Sequence, residues 1–306
     1  MNACPLCGGR PAQRFLDRNE VAAELAFRDR FFSDRFERPL APEELRDVTN
    51  VLLGIPADIL RCRTCDVLVR DEAPDENAFR ADHYDECVLR SLHVTHADAF
   101  RAKDADYRPL LPPGSRVAEI GSYVGGFLSA AREWGWSAIG CDVGEDTARF
   151  TREAGFDTRC VCFEDAGFAT DSLDAVFIWN CFEQLPACRD TLDAIHRTLR
   201  HDGLLVIRVP DAAFYARNRE SSRPVLAYNG LLGWPHRFGF NEEAIERLAS
   251  QHQFALQRVL HRPVIRPFRN AMRSWAQEEE SALIGEQTFG WMELTYRHIP
   301  MIAARA

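Results

Sequence analysis

The residues with the plainest chemistry are two cysteine pairs. Cys4-Pro5-Leu6-Cys7-Gly8-Gly9 and Cys62-Arg63-Thr64-Cys65 are both C-x2-C, separated by the interval 8–61. Two intervening residues let one tight turn aim both thiolates at a single tetrahedral ion. Two such turns complete a closed Cys4 zinc site with no open position for water. Gly8 and Gly9 supply permissive backbone after the first pair, and Pro5 stiffens the turn from within. The competing reading of a C-x2-C is a redox pair, which belongs between a strand and the helix it opens, and neither pair sits that way. The interval is longer than in most zinc ribbons. Structural Zn2+ held by Cys4, Cys7, Cys62 and Cys65 is the expectation. Cys87, Cys141, Cys160, Cys162, Cys181 and Cys188 read as small buried hydrophobes, with Cys160 and Cys162 alternating on one face of a strand.

The second constellation is a glycine turn followed by acids. Val117-Ala118-Glu119-Ile120-Gly121-Ser122-Tyr123-Val124-Gly125-Gly126 places a short apolar strand before a turn whose glycines admit a ligand close to the backbone. An acid closes each of the next two apolar runs: Asp142 after 137–141, and Glu164 after 158–163. Asn180 leaves the run 173–179. A carboxylate such as Asp142 can accept hydrogen bonds from both hydroxyls of a ribose. A dinucleotide fold would need Gly-x-G-x-x-Gly, which this spacing does not supply, and Glu119 would repel a pyrophosphate.

These residues require elements to hold them. Pro112-Pro113-Gly114 is a turn signal. Beyond it the pattern predicts strand 117–120, helix 127–134 ended by Gly135, strand 137–141, helix 145–154 ended by Gly155, strands 158–163 and 173–179, helix 189–200 and strand 204–209. Helix 242–251 with Asn241 as N-cap, strand 253–261, a mostly helical 264–290 and an antiparallel closing strand 293–304 complete the chain. Strand, glycine turn, helix, strand is the start of a doubly wound α/β sheet whose ligand lies beyond the carboxyl ends of the strands.

In that order, Glu-x-Gly-x-x-x-Gly, Asp142, Glu164, Ser-Leu-Asp-Ala-Val-Phe and Arg-Thr-Leu-Arg-His-Asp-Gly-Leu-Leu resemble a class I S-adenosylmethionine-dependent methyltransferase. With the cysteine pairs, the chain resembles those members that carry an N-terminal zinc-binding lobe, some acting on nucleotide sugars and natural-product intermediates. The resemblance covers about 1–9, 60–70 and 114–262. It implies a Rossmann-like parallel sheet with an antiparallel last strand, and S-adenosyl-L-methionine as cofactor. Glu119 would orient the amino end of that cofactor. Gly121 and Gly125 would admit its methionine portion, Asp142 would hold the ribose, Phe163 and Glu164 would border the adenine, and Asn180 and Phe182 would lie beside the sulfonium. One departure stands out: Tyr123 occupies a position where such enzymes commonly carry glycine. The turn is then reshaped with the ring over the cofactor, or cofactor binding is weakened; the retained Gly125-Gly126 favours the first.

The domains expected are a zinc lobe over 1–70 with a helical insertion at 17–53, a helical linker over 71–113, and a cofactor-binding domain over 114–306. An aromatic lid at 212–240 is too long for a simple crossover. A proton acceptor is needed only for a protonated nucleophile; the candidates are His236 in the lid, His83 in the linker and Glu183 after the fourth core strand. Lys+Arg 37 against Asp+Glu 46 gives a net charge of −9, without the basic face that phosphate backbones require. That argues for a small-molecule acceptor over nucleic acid. An RNA or protein methyltransferase recognising its target through the zinc lobe, and a cofactor-binding protein without methyl transfer, are the other readings. No run reaches the roughly 20 apolar residues of a membrane span, and 1–18 lacks the apolar core of a secretory signal. A cytoplasmic protein with reduced thiols is the expectation.

Overall fold

The computed structural model describes residues 4–9, 11–33, 56–72, 84–219, 236–262 and 290–299. In chain order the elements are β1 (Pro11–Leu16), α1 (Arg18–Ser33), β2 (Ile59–Cys62), β3 (Leu68–Arg70), α2 (Glu86–Arg101), α3 (Asp104–Tyr107), β4 (Arg116–Ile120), α4 (Gly126–Glu133), β5 (Ser137–Cys141), α5 (Glu145–Glu153), β6 (Asp157–Arg159), β7 (Leu173–Trp179), α6 (Cys188–Thr198), β8 (Leu199–Pro210), α7 (Ala212–Asn218), β9 (Phe238–Gly239), α8 (Glu242–Gln251), β10 (Phe254–Arg262) and β11 (Trp291–His298).

Near-continuous apolar runs, with both faces covered, make the centre of a seven-stranded sheet ordered β10-β11-β8-β7-β4-β5-β6. In β7 every residue but Asp174 is buried. β4 pairs in parallel with β5 and β7, and β7 with β8. β11 enters antiparallel between β8 and β10. This is the Rossmann-like sheet expected from the sequence, and the order reverses at β4, so a crevice opens where β4, β5 and β7 end.

A second sheet, β1-β2-β3-β9, carries the cysteine pairs at its turns. Its last strand comes from far along the chain. Leu68 pairs with Gly239 and Val69 with Phe238, so the end of the segment expected as a lid is a strand of the N-terminal sheet. That segment also begins with a helix, α7, capped by Asp211 Oδ1 accepting from the Ala213 N–H at 2.8 Å. Residues 220–235 of the lid expected over 212–240, the helical reading of 264–289 and the helical insertion beyond α1 up to 53 lie outside the described residues.

Three expectations need correction. Cys160 and Cys162 do not alternate in a strand: β6 ends at Arg159, and the chain turns through a 3-10 turn at Phe163–Asp165. Cys87 is exposed in the first turn of α2, so it is not a buried hydrophobe; only Cys141 and Cys188 of those six are fully buried. The closing strand runs 291–298, earlier than 293–304, because Trp291 and Met292 pair with Pro210 and Val209.

Candidate functional site: an acidic cavity at the strand ends

The carboxyl ends of β4, β5 and β7 open into a cavity of ≈ 440 Å³, within the range of about 300–1,000 Å³ in which small ligands bind. The turn after β4 is built by two amides: the Gly121 and Ser122 N–H groups both donate to the Cys141 carbonyl, at 2.8 and 3.2 Å. Gly121 has φ +73°, and a Cβ there would meet Cys181 Sγ at 2.6 Å. Only glycine fits.

Tyr123 keeps the left-handed conformation that glycine would take, with φ +45°. Such backbone costs a side-chain-bearing residue of order 1–3 kcal/mol and persists where its surroundings over-determine it. Here they do. Its N–H donates to Asp142 Oδ2 at 2.6 Å, and its ring packs edge-on against Tyr84 and His96, centroids 6.0 and 5.7 Å away.

Asp142 is fixed on its other oxygen as well, Oδ1 accepting from the Gly144 N–H at 2.8 Å and from Thr147 Oγ1 at 2.9 Å. Burial nonetheless pushes its carboxyl above the usual range, against those hydrogen bonds. Glu119 is raised further, by burial and then by the Asp142 charge. Its Oε2 is buried without a hydrogen-bond partner. At the adenine end expected from the sequence, Thr191 Oγ1 donates to Glu164 Oε1. Asn180, also left-handed at φ +53°, is held by Arg208 Nη1 donating to its Oδ1 at 2.8 Å and Gln184 Nε2 donating to its carbonyl at 2.6 Å.

Glu119, Gly121, Tyr123, Asp142, Phe163, Glu164 and Asn180 therefore line one cavity. Gly125 does not line it, although Gly126 does; it caps α4 with φ +74°. Phe182 is buried against Phe240, with centroids 5.4 Å apart. Glu183 and His236 are buried outside the lining, with Glu183 Oε1 3.5 Å from His236 Nε2. Burial pushes Glu183 up to about 8. His83 lies outside the described residues. Sequence reasoning missed His96, Phe100, Thr147 and Cys162 in the lining. For the first two a signal existed: Leu89, Leu92, His93, His96 and Phe100 follow the i, i+3, i+4, i+7 stripe of one helix face.

The four knuckle cysteines converge. Cys4 Sγ lies 3.7 Å from Cys65 Sγ, and Cys7 Sγ 3.6 Å from Cys62 Sγ, with all four sulfurs within 4.8 Å of one another. A tetrahedral ion bonded to sulfur at about 2.3 Å spaces its ligands about 3.8 Å apart. The donor set fits zinc.

Residues 94–259, more than half of the chain, match the family described as Methyltransferase domain. No curated protein sequence matches the chain. Among solved structures, it is similar to a chain in the complex between the Haloferax volcanii Trm112 methyltransferase activator and a methyltransferase, at 17% identity and TM-score 0.55 over 75% of this chain and 100% of that one. It is also similar to an S-adenosylmethionine-dependent methyltransferase from Mesorhizobium loti, at 16% identity and TM-score 0.49 over 64% of this chain and 98% of that one. A third similar structure is a methyltransferase from Archaeoglobus fulgidus, at 18% identity and TM-score 0.48 over 72% and 97%. Among the described residues no helix is long and apolar enough to cross a membrane. With its seven-stranded sheet and the matched segment spanning the cavity, the chain belongs to the methyltransferase domain family and is a class I S-adenosylmethionine-dependent methyltransferase.

Proposed function

We propose that the protein methylates a small-molecule acceptor, using the acidic cavity to hold S-adenosylmethionine and a Zn2+ ion on Cys4, Cys7, Cys62 and Cys65 to fix its N-terminal sheet. The single observation that carries the reading is the unpartnered, buried Glu119 Oε2 beside Asp142. Two enclosed carboxylates, both raised by burial and Glu119 also by the Asp142 charge, are stabilised by a ligand bearing positive charge. The cofactor supplies an electrophilic methyl group on a sulfonium.

The residues divide the remaining work. Glu119 would accept from the ammonium of the methionine portion, and the spare lone pair of Asp142 Oδ2 would accept from a ribose hydroxyl. Phe163 and Glu164 would flank the base, and Asn180 would lie beside the reacting centre. Holding the two reactants in line contributes about 7–11 kcal/mol when the geometry is right. For an acceptor that must lose a proton, Glu183 with His236 is the proposed proton store; both lie outside the lining, Glu183 next to Gln184 that lines it, so the proton would reach them through an intervening group. His83 is the second candidate.

Among the described residues the lining contains no lysine or arginine, and the chain is net acidic, which favours a small acceptor over a polyphosphate one. Calorimetry with S-adenosylhomocysteine tests the cofactor site, and binding is expected. Labelled methyl transfer to a panel of small metabolites, total RNA and total protein tests the acceptor. Label in RNA or protein alone would overturn the small-molecule reading.

A further inference from the structure

The donor molecule assigned to the cavity carries three charges, a sulfonium, an ammonium and an α-carboxylate, and the acidic lining answers only the first two. A carboxylate brought near Glu119, Asp142, Glu164 and Asp165 is repelled unless a donor of opposite character meets it. Among the described residues no lysine or arginine lines the cavity, and His96 is the one basic side chain there.

Its placement is built. α2 crosses the first turn of α4 so closely that a Cβ on Gly126 would lie 2.5 Å from His96 Cβ and 2.8 Å from its carbonyl carbon. Glycine at 126 is what allows this approach. The register of α2 is pinned one turn earlier, where His93 Nδ1 donates to the Val124 carbonyl at 2.7 Å, and at its end, where Arg101 Nη2 donates to Glu133 Oε1 at 2.7 Å. The His96 ring then packs on the edge of Tyr123 at 5.7 Å, over the Gly121–Gly126 turn to which the methionine portion is assigned. Imidazole donates a hydrogen bond in either charge state and is cationic when protonated. A charge-assisted bond to carboxylate is roughly twice as strong as a neutral one.

We propose that His96 binds the α-carboxylate of the methyl donor, an inference that rests on the cofactor reading of the cavity. The test compares two ligands by calorimetry, S-adenosylhomocysteine and its decarboxylated analogue S-adenosyl-3-thiopropylamine. The wild-type protein is expected to prefer the first. His96→Ala should weaken S-adenosylhomocysteine at least about tenfold, equivalent to about 1.4 kcal/mol, and change the analogue by less than about twofold. His96→Gln, which keeps an N–H donor and most of the volume, should fall between, and it serves if His96→Ala does not fold. Equal losses for both ligands would make His96 a packing residue, and unchanged affinities would remove it from the site; either result overturns the proposal. Failure of wild-type protein to bind S-adenosylhomocysteine would instead sink the cofactor reading.

Discussion

The Tyr123 N–H donates to Asp142 Oδ2 at 2.6 Å, so the residue that stands in place of a glycine and the carboxylate at the tip of the next strand hold each other. One oxygen of Asp142 serves the turn after β4. The other serves the start of α5 through Gly144 and Thr147. A single side chain thereby sets the relative position of two adjoining strand ends, and the cavity between them is shaped before any ligand arrives.

Tyr123 bears a backbone cost and an aromatic gain, and two substitutions separate them. Tyr123→Ala keeps the left-handed φ and loses the edge contacts to Tyr84 and His96, each worth about 0.5–1.5 kcal/mol. Tyr123→Gly loses the same contacts and is relieved of about 1 kcal/mol of strain. Chemical denaturation should find both variants less stable than wild type, with Tyr123→Ala the less stable of the two. Equal midpoints would mean that the left-handed turn carries no cost in this protein.

Asp142 makes an asymmetric prediction. Asp142→Ala removes three accepted hydrogen bonds and should weaken S-adenosylhomocysteine at least about tenfold, since charge-assisted bonds are the stronger kind. Asp142→Asn should be no better. Whichever way its amide is oriented, the NH2 faces either the Tyr123 N–H or the Gly144 N–H, donor against donor. Near wild-type calorimetry for Asp142→Asn would show that neither the turn nor the ribose depends on the carboxylate.

Much of the core was legible because its signals are local. The run 173–179 is β7 to the residue, 137–141 is β5, and Asn241 accepts from the Ala244 N–H at 2.8 Å, as an N-cap should. The position of Asp142 at the cavity was legible because an acid closes the apolar run 137–141, and that of Glu119 because a glycine turn follows it directly. β9 was not. Phe238 and Gly239 look like loop until Leu68 and Val69 are beside them, and no periodicity in two residues announces a partner so distant in sequence. The end of β6 is hidden for a related reason: Cys160-Val161-Cys162-Phe163 has strand composition, but it leaves the sheet after Arg159, and Val161, Cys162 and Phe163 line the cavity. His96 lies on a visible helical stripe, but its place in the lining depends on Gly126 lying opposite, which only tertiary packing reveals.

Glu183 makes folding sensitive to pH. Its carboxyl is raised from 4.5 to about 8 by burial, against the attraction of the Arg208 charge. The folded protein thus holds a proton that the unfolded chain releases. The stabilising contribution is complete below about pH 4.5, declines as pH rises, and is lost by about pH 8. Glu183→Gln cannot ionise. In urea titrations at pH 5, 6.5 and 8 it should gain on the wild-type protein by up to about 1.4 kcal/mol per pH unit. Parallel stability curves would place an ionised Glu183 in the fold, paired with His236.

Metal binding should reach the loop beyond β7 by a continuous path. Cys65 lies at the turn between β2 and β3; β3 pairs with β9; the Arg70 N–H donates to the Arg237 carbonyl at 2.9 Å, and the Arg237 N–H donates to the Glu183 carbonyl at 2.9 Å. Cys62→Ser removes one of the four proposed ligands and should release the ion, because structural zinc binding and folding are coupled. With the ion gone, β3 loses its anchor, and the Arg70 and Arg237 amides should exchange with solvent faster. Amides of β4 and β7, paired within the large sheet, should keep their protection. Full zinc content by elemental analysis would exclude Cys62 as a ligand. Lost zinc with unchanged exchange at Arg237 would mean that the two sheets are held together by the packing of β9 alone, and that the metal has no hold on the residues beside the cavity.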